Sequence, residues 1–359
     1  MATFPLLNLP PVISERVLQN LKFGDLFCLS QCSKRTFNQI KTHFSKSQSI
    51  IIMFVNISAS SKYHLAVYGG SQVADWVFLH ERDPKIMDLE NPKPHKVAGC
   101  EPMDFCNGRH TQRSVEYSCV SRHSVKDILN FGKYLLTLFN ASVRMMDIKP
   151  VQIKYLDDIL SIDAFRKCQS LTVGSGILSH DDFRKVLGCF ETEDTSLVCS
   201  TKRDFSLNQA VKLNRLSSIC SSWVNFQTLQ NLDLKSGGLY KCALTNEDLN
   251  KFLKTWLEGS NTKLEHIRIS RDKREENKII LNLSKIVEGI PSTPGVAKRP
   301  DATGFRTYRN RIDYATGVDL RRESDGMLAT VLVYKDRDWG EMFLFVVWHV
   351  PNPNLVVVG

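Results

Sequence analysis

"SSWVNFQTLQNLDLKSGGLYKCALTNEDLNKFLKTWLEGSNTKLEHIRI", residues Ser221–Ile269, sets two periodicities side by side. "LQNLDL" places Leu229, Leu232 and Leu234 in an L-x-x-L-x-L rhythm, and "LEHIRI" repeats it with Leu264, Ile267 and Ile269. Apolar residues at every second position mark a strand with one buried face. Between the two pieces, Leu249, Phe252, Leu253 and Trp256 recur at helical spacing. Thr245 followed three residues later by Asp248 is the start signal of that helix, because each side chain can satisfy a backbone N–H that the first turn leaves unpaired. The stretch predicts strand, helix, strand.

The same unit occurs upstream. "LSHDDFRKVLGCF", Leu178–Phe190, aligns with "LTNEDLNKFLKTW", Leu244–Trp256. Ser179 and Asp182 repeat the cap, and Phe183, Val186, Leu187 and Phe190 repeat the apolar stripe. "CQSLTV" and the poorer "DTSLVC" supply further strand rhythm, so that Leu171, Leu197, Leu232 and Ile267 fall 26, 35 and 35 residues apart. A strand plus a helix per unit resembles a degenerate leucine-rich repeat. The spacing exceeds the usual ~20–29 residues, and the asparagine of regular copies is missing. Such a stack leaves a continuous strand surface for a partner.

At the other end, "FPLLNLPPVISERVLQNLKFGDLFCLSQCSKRT" begins at Phe4. Pro10 and Pro11 suit a helix start, where a missing N–H is harmless. Ile13, Val17, Leu18 and Leu21 then form one stripe. Asp25 is placed to cap a second helix carrying Leu26, Leu29 and Cys32; Ser33 caps a third carrying Phe37, Ile40 and Phe44. Units of ~40 residues rarely bury enough surface to stand alone. The apolar surplus therefore implies docking, on the rest of the chain or on another protein.

This stretch resembles the F-box, in the order L-P-x(6)-V-L, D-L-x-x-L-S and C-S-K-x-T, from Phe4 to about Phe44. Ser221–Ile269 resembles the type 2 F-box-associated domain of the family expanded in nematodes. It carries that domain's W-x(5)-L-x-x-L-x-L opening and D-L-N-x-F-L-x-x-W-x-x-G-x-N-x-x-L-E core. "GVDLRRESDGMLATVLVYKDRDWGEMFLFVVW" resembles the family's closing segment. Its own pattern is an antiparallel meander turning at Asp325-Gly326. The resemblance implies a substrate receptor of an SCF-type cullin–RING ubiquitin ligase, docked on a Skp-type adaptor and holding an unknown target protein. Carried over residue by residue, the adaptor face would comprise Leu9, Pro10, Val17, Leu18, Leu21, Leu26 and Leu29.

Between these ends, "SIIIMFVNIS", "YHLAVYGG" and "ADWVFLH" read as strands. Arg82–Ser114, rich in Pro, Gly and charge, reads as a long loop. "SVKDILNFGKYLLTLF" is a helix with Val125, Ile128, Leu129, Leu135, Leu136 and Phe139 inward. "GGLYKCALT" reads as turns, and Arg271–Pro300 as a charged loop. The expected fold is α/β. An N-terminal three-helix F-box at 1–46 is followed by strands, loop and helix at 47–160. Leucine-rich-repeat-like units occupy 161–270, the F-box-associated domain beginning near 207. A charged loop at 271–310 leads to a C-terminal antiparallel meander at 311–359.

The 359 residues are 42% hydrophobic and 24% charged, the composition of ordinary globular domains. A net charge of +9 permits an acidic partner. Arg306, Arg309, Arg311, Arg321 and Arg322, interleaved with Phe305 and Tyr308, make nucleic-acid binding over Arg306–Arg322 the second functional reading. The start lacks a basic n-region, and no apolar run reaches the ~18 residues of a membrane span, so the expected setting is intracellular, in cytoplasm or nucleus, without a membrane. Cys100, Cys106, His110, Cys119 and His123 lack the tight knuckle of structural zinc sites, so no metal is expected. No phosphate loop, nucleophile elbow, H-E-x-x-H or dinucleotide fingerprint occurs, which predicts a non-catalytic protein without cofactor.

Overall fold

The N-terminal stripes become three short helices in a computed structural model: α1 (Pro11–Asn20), α2 (Phe23–Ser30) and α3 (Lys34–His43). The structure describes residues 9–44, 49–53, 63–69, 72–80, 93–95, 103–110, 114–121, 125–202, 204–271, 280–296 and 312–348. The chain packs as two units, Met1–Gly174 with Cys189–Thr192, and Ser175–Gly188 with Glu193–Gly359. Ser33 caps α3 as expected: its hydroxyl accepts from the Thr36 N–H at 3.1 Å, and the Thr36 hydroxyl accepts from the Ser33 N–H at 3.1 Å. Asp25 does not cap α2. That helix begins one turn earlier, behind Lys22, because Phe23 is needed in the core at 3% exposure. Asp25 then sits in the first turn, where its charge complements the helix dipole.

The rest of the first unit is a mixed sheet and one long helix. Its elements are β1 (Ser49–Met53), β2 (Tyr63–Gly69), β3 (Gln72–His80), β4 (Lys93–His95), β5 (Met103–His110), β6 (Ser114–Ser121), α4 (Val125–Leu138), β7 (Ser142–Ile148), α5 (Leu156–Leu160), α6 (Asp163–Arg166) and β8 (Lys167–Val173). The strands order as β8-β7-β1-β2-β3-β6-β5-β4. Arg82–Ser114 is therefore not one loop, since β4 and β5 lie within it and pair antiparallel. Its Pro and Gly content had masked two short strands.

Aromatic side chains fasten the N-terminal helices to this unit. Phe27 of α2 meets Phe131 and Tyr134 of α4 edge-on at 5.4 and 6.1 Å, and Trp76 of β3 at 5.9 Å. Phe23 and Phe44 meet Phe139 at 5.1 and 5.4 Å. The Tyr134 hydroxyl lies 2.7 Å from the Ser30 hydroxyl and accepts from the Gln31 amide. Edge-to-face pairs of this kind add ~0.5–1.5 kcal/mol each beyond the area they bury.

The second unit contains α7 (His180–Gly188), β9 (Glu191–Leu197), β10 (Val211–Ser218), α8 (Phe226–Asn231), β11 (Leu232–Cys242), α9 (Asn246–Leu257), β12 (His266–Arg271), α10 (Leu283–Ile286), β13 (Thr293–Pro294), β14 (Val318–Arg321), β15 (Leu328–Asp336) and β16 (Gly340–Trp348). β9, β10, β11 and β12 pair in parallel. β12 then pairs antiparallel with β16, β16 with β15, and β15 with β14. The strand β10 went unread in the sequence. Its inward alternation breaks at Asn214 and Arg215, so neither a period of two nor the leucine rhythm picks it out. Gly237 and Gly238 lie inside β11, not in a turn.

The α9 stripe is the centre of this unit. Thr245 and Asp248 form the expected capping box. Leu249, Phe252, Leu253 and Trp256 are buried, and Phe252 and Trp256 meet Phe345 of β16 at 5.7 and 5.0 Å. Asn246 and Asn250, one turn apart, tie the segment after β12 to α9. Asn246 bonds both Ile280 and Asn282, and Asn250 donates to the carbonyls of Ile286 and Glu288.

Truncating Phe27 to Ala removes the ring shared by α2, α4 and β3. It should cost about 3–5 kcal/mol of first-unit stability. Hydrogen exchange checks this: amides of residues 9–44 and of α4 should lose protection, while those of β10–β12 keep theirs.

Candidate functional site

Two surfaces are candidates for contact with a partner. The first is on the N-terminal helices. Val12 and Ile13 of α1 are 66% and 48% exposed, and Pro10 is exposed beside them. Leu9, Val17, Leu21 and Leu29 are half-buried. Leu18 and Leu26, expected on the same face, are instead buried at 3% and 1% exposure. Short amphipathic helices must bury some of their leucines to pack at all, and these two are the ones buried. Glu15 and His43, 3.5 Å apart, link α1 to α3 at the rim. The accessible patch is thus Leu9, Pro10, Val12, Ile13, Val17, Leu21 and Leu29, with Val12 the residue that the stripe reading passed over.

The second surface is the face of β9–β12 turned away from α9. Parallel register sets residues of four strands in rows across it. One row runs Asp194, Arg215, Ser236, His266, and the other Ser196, Ser217, Gly238, Arg268. The intervening row, Thr195, Leu216, Gly237 and Ile267, continues through Phe345 toward α9. Alternation along each strand separates the two faces. The outer rows enclose a depression of about 280 Å³ whose lining also includes Tyr240.

Local chemistry shapes this depression. The Arg215 guanidinium sits 2.6 Å from the Asp194 carboxylate. Gly238 has no side chain, and a Cβ there would come within 3.1 Å of the Tyr240 ring, so glycine lets that ring lie over the strand. Tyr240 in turn stacks on Trp339 at 4.3 Å. Just beyond, Lys241 takes a left-handed φ of 61° at a bulge, and its N–H is satisfied by the Ser270 hydroxyl at 3.1 Å. Burial, reinforced by the Arg268 charge, pushes His266 down to about 4, so its imidazole is neutral at neutral pH. The thiols of Cys168 and Cys199 are pushed up to about 12 by burial, and Cys242 is pushed up further, which removes their nucleophilic form.

The described residues cover only part of the basic region. Arg306, Arg309 and Arg311 lie outside the described residues, and Arg321 is exposed. Arg322 is fully buried. Its guanidinium packs 4.5 Å from the Trp256 ring and donates to Asp325 through Nε and Nη2, at 2.9 and 2.7 Å. Arg322 is a core residue that locks the β14–β15 turn onto α9, and it is lost to any nucleic acid. Of the cysteine–histidine group, Cys100 and His123 lie outside the described residues; Cys106 and His110 are on β5 and Cys119 on β6. Among the described residues, no group of three or more His, Cys, Asp or Glu side chains could hold a metal ion, and no helix is long and apolar enough to cross a membrane.

Comparison with known proteins bears on both surfaces. Residues 6–48 match the family model for the F-box domain, and residues 205–269 match the model described as F-box associated. The chain is similar to two Caenorhabditis elegans proteins, "Uncharacterized protein F59B2.9" and "Uncharacterized protein F59B2.8". They are 22% and 23% identical over 96% of this chain and over 79% and 78% of their own lengths. It is also 19% identical, over 99% of its length, to 29% of the Caenorhabditis elegans protein named "E3 ubiquitin-protein ligase hecw-1". No solved structure matches.

His266 makes the second unit acid-sensitive. Its folded value of about 4 lies below the ~6.5 of an unfolded histidine, so between those values the unfolded chain binds the extra proton. Stability is full above about pH 6.5 and falls as pH drops toward 4. Urea midpoints measured from pH 7 to pH 5 should decline, and His266→Gln should flatten that slope.

Proposed function

This chain carries an F-box domain and an F-box-associated domain, the pairing of the nematode-type F-box family, and on that premise we propose that it is the substrate-recognition subunit of an SCF-type cullin–RING ubiquitin ligase. The F-box docks on a Skp-type adaptor, and the body presents a target protein. The observation that carries this reading is the two-faced character of the N-terminal helices. Phe23 and Phe27 are spent on the aromatic cluster with α4, while Pro10, Val12 and Ile13 face outward beside half-buried Leu9, Val17, Leu21 and Leu29. An exposed apolar patch on short helices is what a stable helix-packed interface uses at its centre.

Within that role, residues 1–46 dock the adaptor, 161–270 form a leucine-rich-repeat-like stack of strand–helix units, and 311–359 close it as a meander. The parallel pairing of β9–β12 and the antiparallel pairing of β14–β16 support this division. The protein contributes no catalytic side chain. Holding a target near a charged ubiquitin-carrying enzyme raises its effective concentration, which accelerates transfer without chemistry by the receptor. It works inside the cell, in the cytoplasm or nucleus, where such ligases act.

A pull-down with purified Skp-type adaptor tests this. The full-length chain should capture the adaptor, and a Val12→Asp, Ile13→Asp double variant should lose capture by at least about tenfold, because two charges would be buried unpaired at the interface centre. Both positions are exposed, so the thermal melt of the variant should match the wild type. Failure of the wild-type chain to capture the adaptor, or undiminished capture by the variant, would overturn the proposal.

A further inference from the structure

Resting on the receptor reading above, we propose that Tyr134 of α4 is a positioning residue: its hydroxyl sets the angle at which the adaptor-docking helices stand on the first unit. The phenol sits where α2, α3 and α4 meet. Its ring packs on Phe27 of α2 at 6.1 Å and on Phe37 of α3 at 5.3 Å. Its hydroxyl belongs to a chain of hydrogen bonds. The Ser30 hydroxyl donates to the Phe27 carbonyl at 2.5 Å. With its one proton committed there, Ser30 accepts from the Tyr134 hydroxyl at 2.7 Å. The Gln31 amide donates in turn to the Tyr134 oxygen.

The end of α2 explains why a partner is needed there. Last-turn carbonyls of a helix lack backbone donors of their own. The Gln31 N–H, which would reach back to Phe27 in a longer helix, goes to the Cys28 carbonyl at 3.2 Å. The Ser30 hydroxyl fills that gap, and Tyr134 holds the hydroxyl. The contacts of Phe23, Phe27 and Phe44 with Phe131 and Phe139 are apolar, and apolar attraction has no direction. A hydrogen bond weakens steeply with angle, so the chain through Tyr134 fixes a rotation that ring packing leaves loose. Burial pushes the Tyr134 phenol up, which keeps it protonated as a donor. Leu29 of the accessible patch is the neighbour of Ser30, so the chain anchors the helix end that presents it. A receptor that acts by holding its target in place needs that patch at one angle.

Pulsed electron–electron double resonance on the full-length chain tests this. Nitroxides are attached through p-acetylphenylalanine at two exposed positions of the first unit, Arg16 on α1 and Lys154 ahead of α5. The wild type should give one narrow distance distribution. Tyr134→Phe removes only the hydroxyl and should broaden the distribution at least about twofold, and Ser30→Ala should do the same. Phe37→Leu trims an apolar contact to the same ring and should leave the width unchanged. Tyr134→Phe should keep adaptor capture within about threefold and its thermal melt within about 5 °C of the wild type, the scale of one lost hydrogen bond. The positioning role is overturned if Tyr134→Phe keeps the wild-type width, if Phe37→Leu broadens it equally, or if Tyr134→Phe loses melt and capture together. Adaptor capture that fails in the wild type while Tyr134→Phe still broadens the distribution would sink the receptor reading and leave Tyr134 as the residue that orients the helices.

Discussion

The second unit depends on one constraint: the α9 stripe can be buried on only one face of its sheet. Leu249, Phe252, Leu253 and Trp256 need an apolar surface, and the row through Leu216, Ile267 and Phe345 supplies it. A crossover helix packs back on the sheet with fixed handedness, so α9 sits on one side. The opposite side is then left to whatever alternates with the core residues. In β9–β12 those are serines, a glycine, arginines, an aspartate and a histidine. A polar trough is the by-product of burying Trp256.

The same constraint decides how the C-terminal strands join. Phe345 reaches Trp256 because β16 pairs with β12, and Arg322 covers the Trp256 ring from the β14–β15 turn. A buried guanidinium is tolerable there because Asp325 answers its charge with three hydrogen bonds and the indole face offers a cation–π contact. Farther along, the Trp348 indole donates to Thr330, and Thr330 donates to the buried Asp319, so three strands share one satisfied polar chain. The N-terminal helices meet a comparable problem differently. They are too short to bury their apolar residues among themselves, and they divide the surplus: phenylalanines go inward to α4, Val12 and Ile13 go outward.

Much of the local structure was legible because its causes are local. The capping boxes at Ser33 and Thr245, the cap at Ser179, the helix stripes of α4, α7 and α9, and the strands around Leu171, Leu232 and Ile267 follow from residues within a few positions of one another. The misses share a cause as well. β10 was hidden by the break in alternation at Asn214–Arg215, and β4 and β5 by Pro and Gly in Arg82–Ser114. Pairing with neighbours compensated for weak local propensity in each case. Gly237–Gly238 looked like a turn, yet packing against Ile267 on one face and beneath Tyr240 on the other makes it the middle of a strand.

By itself, then, the sequence determined the identity of the parts, through motifs such as the leucine–proline start at Leu9 and the tryptophan-spaced core ending at Glu265. It also determined the helices and most of the strands that compose them. Tertiary structure alone decided which residues remain available. Leu18 and Leu26 went inward although their spacing matches that of exposed neighbours, and Arg322 left a basic cluster to become core. The row Asp194, Arg215, Ser236, His266 joins residues from four strands that are far apart along the chain. Register across a parallel sheet is set by the burial of the opposite face, a non-local requirement that no window of sequence contains.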